Sequence, residues 1–347
     1  MLYTYSHGLD GRGQHLSRAY SSMATSANPN PERVVDSSKV WTTLITNTAY
    51  LSGLLTLEAS LRYAGSKYPL VALYTDSFPP EGHAALDRRG IAKKHVPYLL
   101  PKTTKDFSND PRFYDCWSKL TPFSLVEYER VVQLDGDMLV LKNMDELMDL
   151  PLDGPEKAGK GSKVFAASHA CVCNPLSKPH YPRDWVPANC AFTSQHHEPE
   201  KAQREGAPPT AGLAMPNGGL QVVVPSMEVY NLILDSLSGA NTANFDFADQ
   251  SILSDLFPNR WVALPYIYNA LKTLRWKGVH DAIWRDAEVK NMHFLLSPKP
   301  WDETEESKKV PWDAEKRTGR DEANEWWWDS SRKRWSEEKK KGIEDGF

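Results

Sequence analysis

The run Val131-Val132-Gln133-Leu134-Asp135-Gly136-Asp137-Met138-Leu139-Val140-Leu141 sets two acids, one residue apart, inside an otherwise apolar stretch. Unpaired carboxylates are costly to bury, so acids in such a place sit at a strand end, pair with cations, or bind a metal. Gly136 permits a tight turn, and two carboxylates held this close suit a hard divalent cation that also takes phosphate oxygens. An Asp-x-Asp alone more often marks a loop with two solvated acids, so the surrounding elements must decide.

Those elements begin at Val40. VWTTLIT is rich in β-branched and aromatic residues and ends at Asn47, which predicts a first strand. Tyr50 to Tyr63 repeats Leu at helical spacing, and Tyr68 to Tyr74 predicts a second strand, completing a βαβ unit. A helix near Gly82 to Arg89, the segment Ser118 to Tyr128 and a strand over Val131 to Leu134 continue the alternation. The pattern predicts a mostly parallel sheet with helices on both faces and ligands at the carboxyl ends of the strands. Asp135 and Asp137 then emerge at such an end.

Composition excludes several classes. With 347 residues the chain supports a large α/β domain that needs no staples. Its 41 Lys and Arg against 45 Asp and Glu give a net charge of -4, which offers no basic field for nucleic acid or an anionic membrane. No apolar run reaches the roughly 18 residues of a membrane span, and no signal-peptide core is present. Four cysteines, Cys116, Cys171, Cys173 and Cys190, are too few and too uneven for a secreted disulfide framework, so a reducing, cytoplasmic setting is expected. Residues 11 to 28 contain Ser and Arg but no acid, a weak likeness to a mitochondrial presequence; a disordered leader, or translation from Met23, is the preferred reading.

Several further motifs occur in order. Thr43-Leu44-Ile45-Thr46-Asn47-Thr48-Ala49-Tyr50 ends the first strand, and Trp117-Ser118-Lys119-Leu120 precedes the acids. Asn217-Gly218-Gly219-Leu220, Phe245-Asp246-Phe247-Ala248-Asp249-Gln250 and His293-Phe294-Leu295-Leu296-Ser297-Pro298-Lys299-Pro300-Trp301 follow them. Each has a bland reading: a partly buried histidine, solvated lysines, a turn, a tyrosine that anchors the first helix. Together, from Val40 to Trp301, they resemble the retaining nucleotide-sugar glycosyltransferase family that includes glycogenin and galactinol synthase, glycosyltransferase family 8.

The resemblance implies an α/β fold of the GT-A type, with a Rossmann-like central sheet. It implies nucleotide contacts from Leu44, Thr46, Asn47 and Tyr50, phosphate contacts from Lys119 and Lys299, and a donor-sugar loop at Asn217 and Gly218. Asp135, Gly136 and Asp137 correspond to the metal-binding DxD. With His293 the two acids offer mixed oxygen and nitrogen ligands, which suit Mn²⁺ (or Mg²⁺) better than Ca²⁺. Asp246 and Asp249 are expected to grip sugar hydroxyls and Gln250 to place a dipole at an oxocarbenium-like centre.

Ser66-Lys67-Tyr68-Pro69-Leu70-Val71, Ser118-Lys119-Leu120, Val126-Glu127-Tyr128 and the Asp-Gly-Asp form are closer to the galactinol synthase-like branch. The expected reaction is transfer of galactose or glucose from a UDP-sugar to a small polyol-type hydroxyl acceptor. A glycogenin-like protein primer and a silent sugar-nucleotide-binding protein are the alternatives, and a homodimer is compatible with either. Leu296 departs from the family by standing where glycogenin-type members have Gly. The expected layout is a disordered leader (1–38), the transferase domain (39–305) with an acceptor-selecting insert (168–214), and a charged, Trp-rich extension (306–347).

In the insert, Cys171, Cys173, Cys190, His169 and His180 allow a zinc site. CxC with one distant Cys matches no regular finger spacing, so ordinary reduced cysteines are preferred. In the extension Trp326, Trp327 and Trp328 are expected to pack on the domain, and the last residues, EEKKKGIEDGF, to form solvated helix or disorder.

Overall fold

A computed structural model describes residues 32–102, 106, 108 and 114–347. The leader expected over 1–38 falls mostly on residues 1–31, outside those described.

The anticipated βαβ unit is present: β1 (Lys39–Ile45), α1 (Leu51–Tyr63) and β2 (Leu70–Tyr74), followed by α2 (Pro80–Arg88) and β3 (Ala92–His95). Asn47 starts α1 by accepting the Ala49 N–H at 2.9 Å, which caps the short 3₁₀ turn that runs into the helix. A 3₁₀ segment, Cys116–Ser124, leads to β4 (Arg130–Leu134) and β5 (Met138–Val140). Next come β6 (Phe165–Ala167), β7 (Leu220–Val223), α3 (Met227–Leu237), α4 (Ala248–Leu256) and β8 (Val262–Ala263). β9 (Ala270–Leu271), β10 (Asn291–His293) and α5 (Asn324–Lys340) complete the order.

The main sheet runs β3-β2-β1-β4-β7-β6-β8 and a small sheet runs β5-β10-β9. Strands β3, β2, β1 and β4 are parallel, β7 opposes both β4 and β6, and β8 is parallel to β6. Side chains alternate across the sheet, so Val40, Val71, Leu73, Val131 and Val223 meet α3 and α4 on one face. Trp41, Ala72, Val132, Leu134 and Val222 meet Leu51, Leu54 and Leu55 of α1 on the other. Burial on both faces is why these strands read as near-continuous apolar runs. Each fully buried Val or Leu contributes about 1.5–3 kcal/mol.

The C-terminal extension packs as expected at its tryptophans and differently at its end. Trp327 is fully buried, 5.5 Å from the Trp301 ring. The last residues, expected to be solvated, are clamped by charge. Arg89 donates to Glu338 and Asp345 at 2.8 Å each, and Arg334 donates to Glu338 at 2.9 Å and to the Phe347 carbonyl at 2.9 Å. The reason is that both guanidinium groups are desolvated, with side chains 7% and 2% exposed, and so require acceptors. Replacing Arg89 by Ala leaves Glu338 and Asp345 without that cation. The expected loss is about 2–4 kcal/mol of stability, with faster tryptic cleavage at Lys339 to Lys341. Unchanged denaturant midpoint and unchanged cleavage would show that the clamp contributes nothing.

Candidate active site

Asp135 and Asp137 leave β4 at its carboxyl end, and the turn between them is held by a close approach from below. A β-carbon at Gly53 of α1 would lie 2.3 Å from the Gly136 carbonyl oxygen, so only glycine lets the helix support this turn. β5 then pairs antiparallel with β10 in a register that sets His293 opposite Met138. The donor atoms of Asp135, Asp137 and His293 lie within 4.8 Å of one another. His293 Nε2 is 3.3 Å from Asp137 Oδ1 and 3.9 Å from Asp135 Oδ2.

Two lysines answer the acids. Lys119 Nζ is 2.7 Å from Asp135, and Lys299 Nζ is 2.5 Å from Asp137 while donating to the Phe294 carbonyl at 2.9 Å. Burial alone would raise the Asp137 carboxyl, but Lys299 and His293 overcome it and hold the group well below the ordinary carboxylate range. Burial likewise opposes charge on Lys119, and Asp135 holds that ammonium well above its usual value. Asp249 is different: burial pushes it up to about 6, Asp135 adds to this, and Lys119 opposes it.

A hydrogen-bonded chain runs from the histidine to α4. His293 Nδ1 lies 2.8 Å from Asn269 Oδ1, an acceptor that orients the ring so that Nε2 faces the acids. Asn269 Nδ2 donates to Asn217 Oδ1 at 2.8 Å, and the same oxygen accepts the Gly219 N–H at 3.0 Å. The Gly218 N–H donates to Gln250 Oε1 at 2.9 Å, and Gln221 Nε2 donates to Asp249 Oδ2 at 3.3 Å. Gly218 is pressed against that carboxylate, where a β-carbon would come within 1.9 Å of Oδ2. Asn269, fully buried, is the positioning residue that sequence reasoning passed over. It sits in Leu264-Pro265-Tyr266-Ile267-Tyr268-Asn269, but its role arises from partners 24 and 52 residues away.

These groups surround a cavity of about 430 Å³. Leu44, Thr46, Asn47, Tyr50, Lys119, Asp135, Gly136, Asp137, Asn217, Asp249, Gln250 and His293 all line it. Thr46 donates to Asp115, another cavity residue, at 3.1 Å. Tyr50 packs edge-on against Trp301 at 5.6 Å and also lines the cavity. Lys299 is 2% exposed and acts from behind Asp137 rather than on the wall, and Gly218 and Asp246 also stand off it. The insert contributes Ala170, Cys171, Tyr181 and Trp185 to the lining, and Trp185 stacks on Phe247 at 4.2 Å. Leu296 holds φ 71°, the left-handed region that glycine favours. The backbone therefore keeps a glycine-like path there at a strain of about 1–2 kcal/mol.

No family model matches the chain. Curated relatives do: galactinol synthase 1 of Solanum lycopersicum is 28% identical over 75% of this chain and 72% of its own length. Galactinol synthase 1 of Arabidopsis thaliana is 27% identical over 81% and 76% respectively. Among solved structures, the galactosyltransferase LgtC, in complex with donor and acceptor sugar analogs, superposes with a TM-score of 0.52 at 15% identity, covering 85% of this chain and 96% of its own. The glycosyltransferase GlyE of Streptococcus pneumoniae TIGR4 gives 0.51 at 17% identity, over 88% of this chain but only 64% of GlyE. At such identities the solved structures speak to the fold.

Sheet order and the structural likenesses define an α/β fold of the GT-A type, and the curated relatives mark the class as glycosyltransferase. Within that class the chain is similar to the galactinol synthases, at 27–29% identity over about three quarters or more of its length. No helix among the described residues is long and apolar enough to cross a membrane.

The raised Asp249 carboxyl has a signed consequence. A carboxyl lifted from its ordinary 3.8 to about 6 binds its proton more tightly in the folded state, so stability falls as pH rises from about 4 to about 6 and then levels. Two units correspond to about 3 kcal/mol. In metal-free protein, Asp249→Asn is expected to be more stable than wild type above pH 6 by up to this amount, with the advantage vanishing near pH 4. Parallel denaturation curves with no pH-dependent difference would remove the buried-charge account.

Proposed function

We propose that this chain is a retaining hexosyltransferase that moves galactose or glucose from a UDP-sugar to a small polyol-type acceptor. The observation that carries the reading is the convergence of Asp135, Asp137, His293 and Lys119 on one cavity at the carboxyl end of β4, with Lys299 buried behind Asp137. Two carboxylates and an imidazole whose Nε2 faces them form a donor set that fits Mn²⁺ or Mg²⁺, so these three residues would hold the ion. When bound, such an ion supplies positive charge where the diphosphate leaving group becomes more negative.

The chain's own groups perform the rest. Lys119 and Lys299 provide further fixed positive charge for phosphate oxygens. Leu44, Thr46, Asn47 and Tyr50 receive the nucleoside, with the Tyr50 ring offered to the uracil face. Asn217 and Gly218 shape the donor-sugar loop, Asp249 on the cavity wall binds sugar hydroxyls while Asp246 stands off that wall, and Gln250 directs its amide dipole at the reacting centre. Asp249 is already bonded to Gln221 and pressed on Gly218, which favours hydroxyl binding over nucleophilic attack. That supports departure and attack on the same face of the sugar, with retention inferred from the family. The Trp185–Phe247 stack provides an apolar platform for the carbon-bound hydrogens of a polyol ring.

A protein-primer role is the second reading, and the structure around its acceptor segment disfavours it. The position resembling a primer's acceptor is Trp276, whose indole donates to Asp321 at 2.7 Å and has no hydroxyl. Tyr266 is fully buried with its hydroxyl accepting the Arg285 N–H at 2.9 Å, and the Tyr268 hydroxyl donates to Glu146 at 2.7 Å. Neither tyrosine lines the cavity.

Purified protein should release UDP from UDP-galactose or UDP-glucose when Mn²⁺ and a member of a polyol panel are supplied. Asp135→Asn and Asp137→Asn should each reduce metal-dependent turnover at least about 100-fold, in line with the loss of a charge acting only in the transition state, without loss of fold. Near-normal turnover of both variants at saturating Mn²⁺ would refute the metal role. In the same incubation without acceptor, the intact mass should stay constant. A ladder of hexose additions mapped to Tyr266 or Tyr268, and lost on replacement by Phe, would restore the primer reading.

A further inference from the structure

Three cysteines scattered through the insert are brought onto one histidine. Cys171 and Cys173 follow β6, Cys190 lies between the 3₁₀ turns Pro187–Asn189 and Ala191–Gln195, and His280 follows the turn Lys272–Arg275. Their three Sγ atoms and one imidazole nitrogen lie within 4.8 Å of one another. His280 Nε2 is 3.1 Å from Cys173 Sγ and 3.3 Å from Cys190 Sγ. His280 and Cys190 are 0% and 3% exposed, so their polar atoms are withdrawn from water. The histidines considered from the sequence take no part. His169 bonds the carbonyls of Ala207 and Pro208, and His180 packs against Tyr181.

We infer that Cys171, Cys173, Cys190 and His280 form a structural zinc site, separate from the Asp135–Asp137–His293 cluster. Thiolate and imidazole are the donors Zn²⁺ prefers, and three Cys with one His close a tetrahedron without leaving a position for water. Bond lengths of about 2.3 Å to sulfur and 2.0 Å to nitrogen give donor–donor edges of roughly 3.5–3.8 Å, inside the span observed here. The far side of the ring is also anchored: His280 Nδ1 lies 2.8 Å from His196 Nε2, which directs Nε2 at the sulfurs as an outer partner does in metal sites. A disulfide would use two of the three sulfurs and leave the third thiol and a buried imidazole unused.

Such an ion would join two stretches about 90 to 107 residues apart in the chain. One of them carries Ala170, Cys171, Tyr181 and Trp185 into the cavity wall. On the proposed transferase reading, this pins the side of the cavity that meets the acceptor.

The test uses the full chain expressed with zinc in the medium and purified without chelator. About one zinc per chain should survive gel filtration, and a mercurial thiol reagent should release it stoichiometrically to a colorimetric chelator. Cobalt replacing it should show thiolate charge-transfer bands and the intense visible bands of a tetrahedral ion. Cys190→Ser and His280→Ala should each bring the zinc content down to about a tenth or less, whereas Asp135→Asn keeps it in full. Since zinc content is read without any turnover, the site stands or falls separately from the transferase reading. If the cysteine variant aggregates, mercurial release from wild type still decides. Metal-free, reduced wild type that takes up no Zn²⁺, a disulfide among these cysteines by mass spectrometry, or full zinc in both ligand variants would each overturn the site.

Discussion

Asp135 and Asp137 repel one another in a place where water is largely excluded, and the molecule is organised around relieving that repulsion. At a separation of about 5 Å and an effective dielectric of about 20, two like charges oppose each other by roughly 3 kcal/mol. Relief comes from three distant parts of the chain: Lys119 from the segment before β4, His293 from β10, and Lys299 from the stretch that follows it. The small β5-β10-β9 sheet has a clear purpose in this light, since its pairing is what carries His293 to the acids.

The same electrostatic economy extends into the hydrogen bonds around the acids. Many polar groups near the acids are already engaged, from the His293–Asn269–Asn217 chain to the Gly218–Gln250 contact. Preorganised dipoles of this kind do not have to reorient when charge moves during reaction, which is where most of their catalytic value lies. Asp249 is the counterexample within the site, a carboxylate kept in a poor environment for its charge. Stability surrendered at one residue is common where a group is held for chemistry rather than for folding.

What could be read from the sequence follows from how local each signal is. The βαβ unit, β4 and the strand-end acids were legible because they rest on periodicities of two and 3.6 within short windows. The expected roles of Lys119, Lys299 and the Asn217 loop rest only on the ordered set of motifs, since each alone reads as a surface charge or a turn. Asn269 and His280 were not legible, because their partners lie tens of residues away and neither residue type is distinctive by itself. The end of α5 misled for a different reason. Its buried stripe, Trp327, Ser331, Arg334 and Glu338, has helical spacing but mostly polar members, so hydrophobic patterning could not reveal it.

The closing segment has a consequence for how the protein comes to life on the ribosome. Lys299 meets Asp137 across 162 residues, and the Trp301 indole donates to the Ala49 carbonyl across 252. At roughly 5–20 residues per second, the acid turn is synthesised some 8–32 seconds before the lysine that compensates it. A nascent chain can thus assemble β1, β2 and β4 while its centre still lacks His293 and Lys299. Completion of the charge set waits on this closing segment, so a chain halted before it holds the acid turn without two of the groups that compensate it.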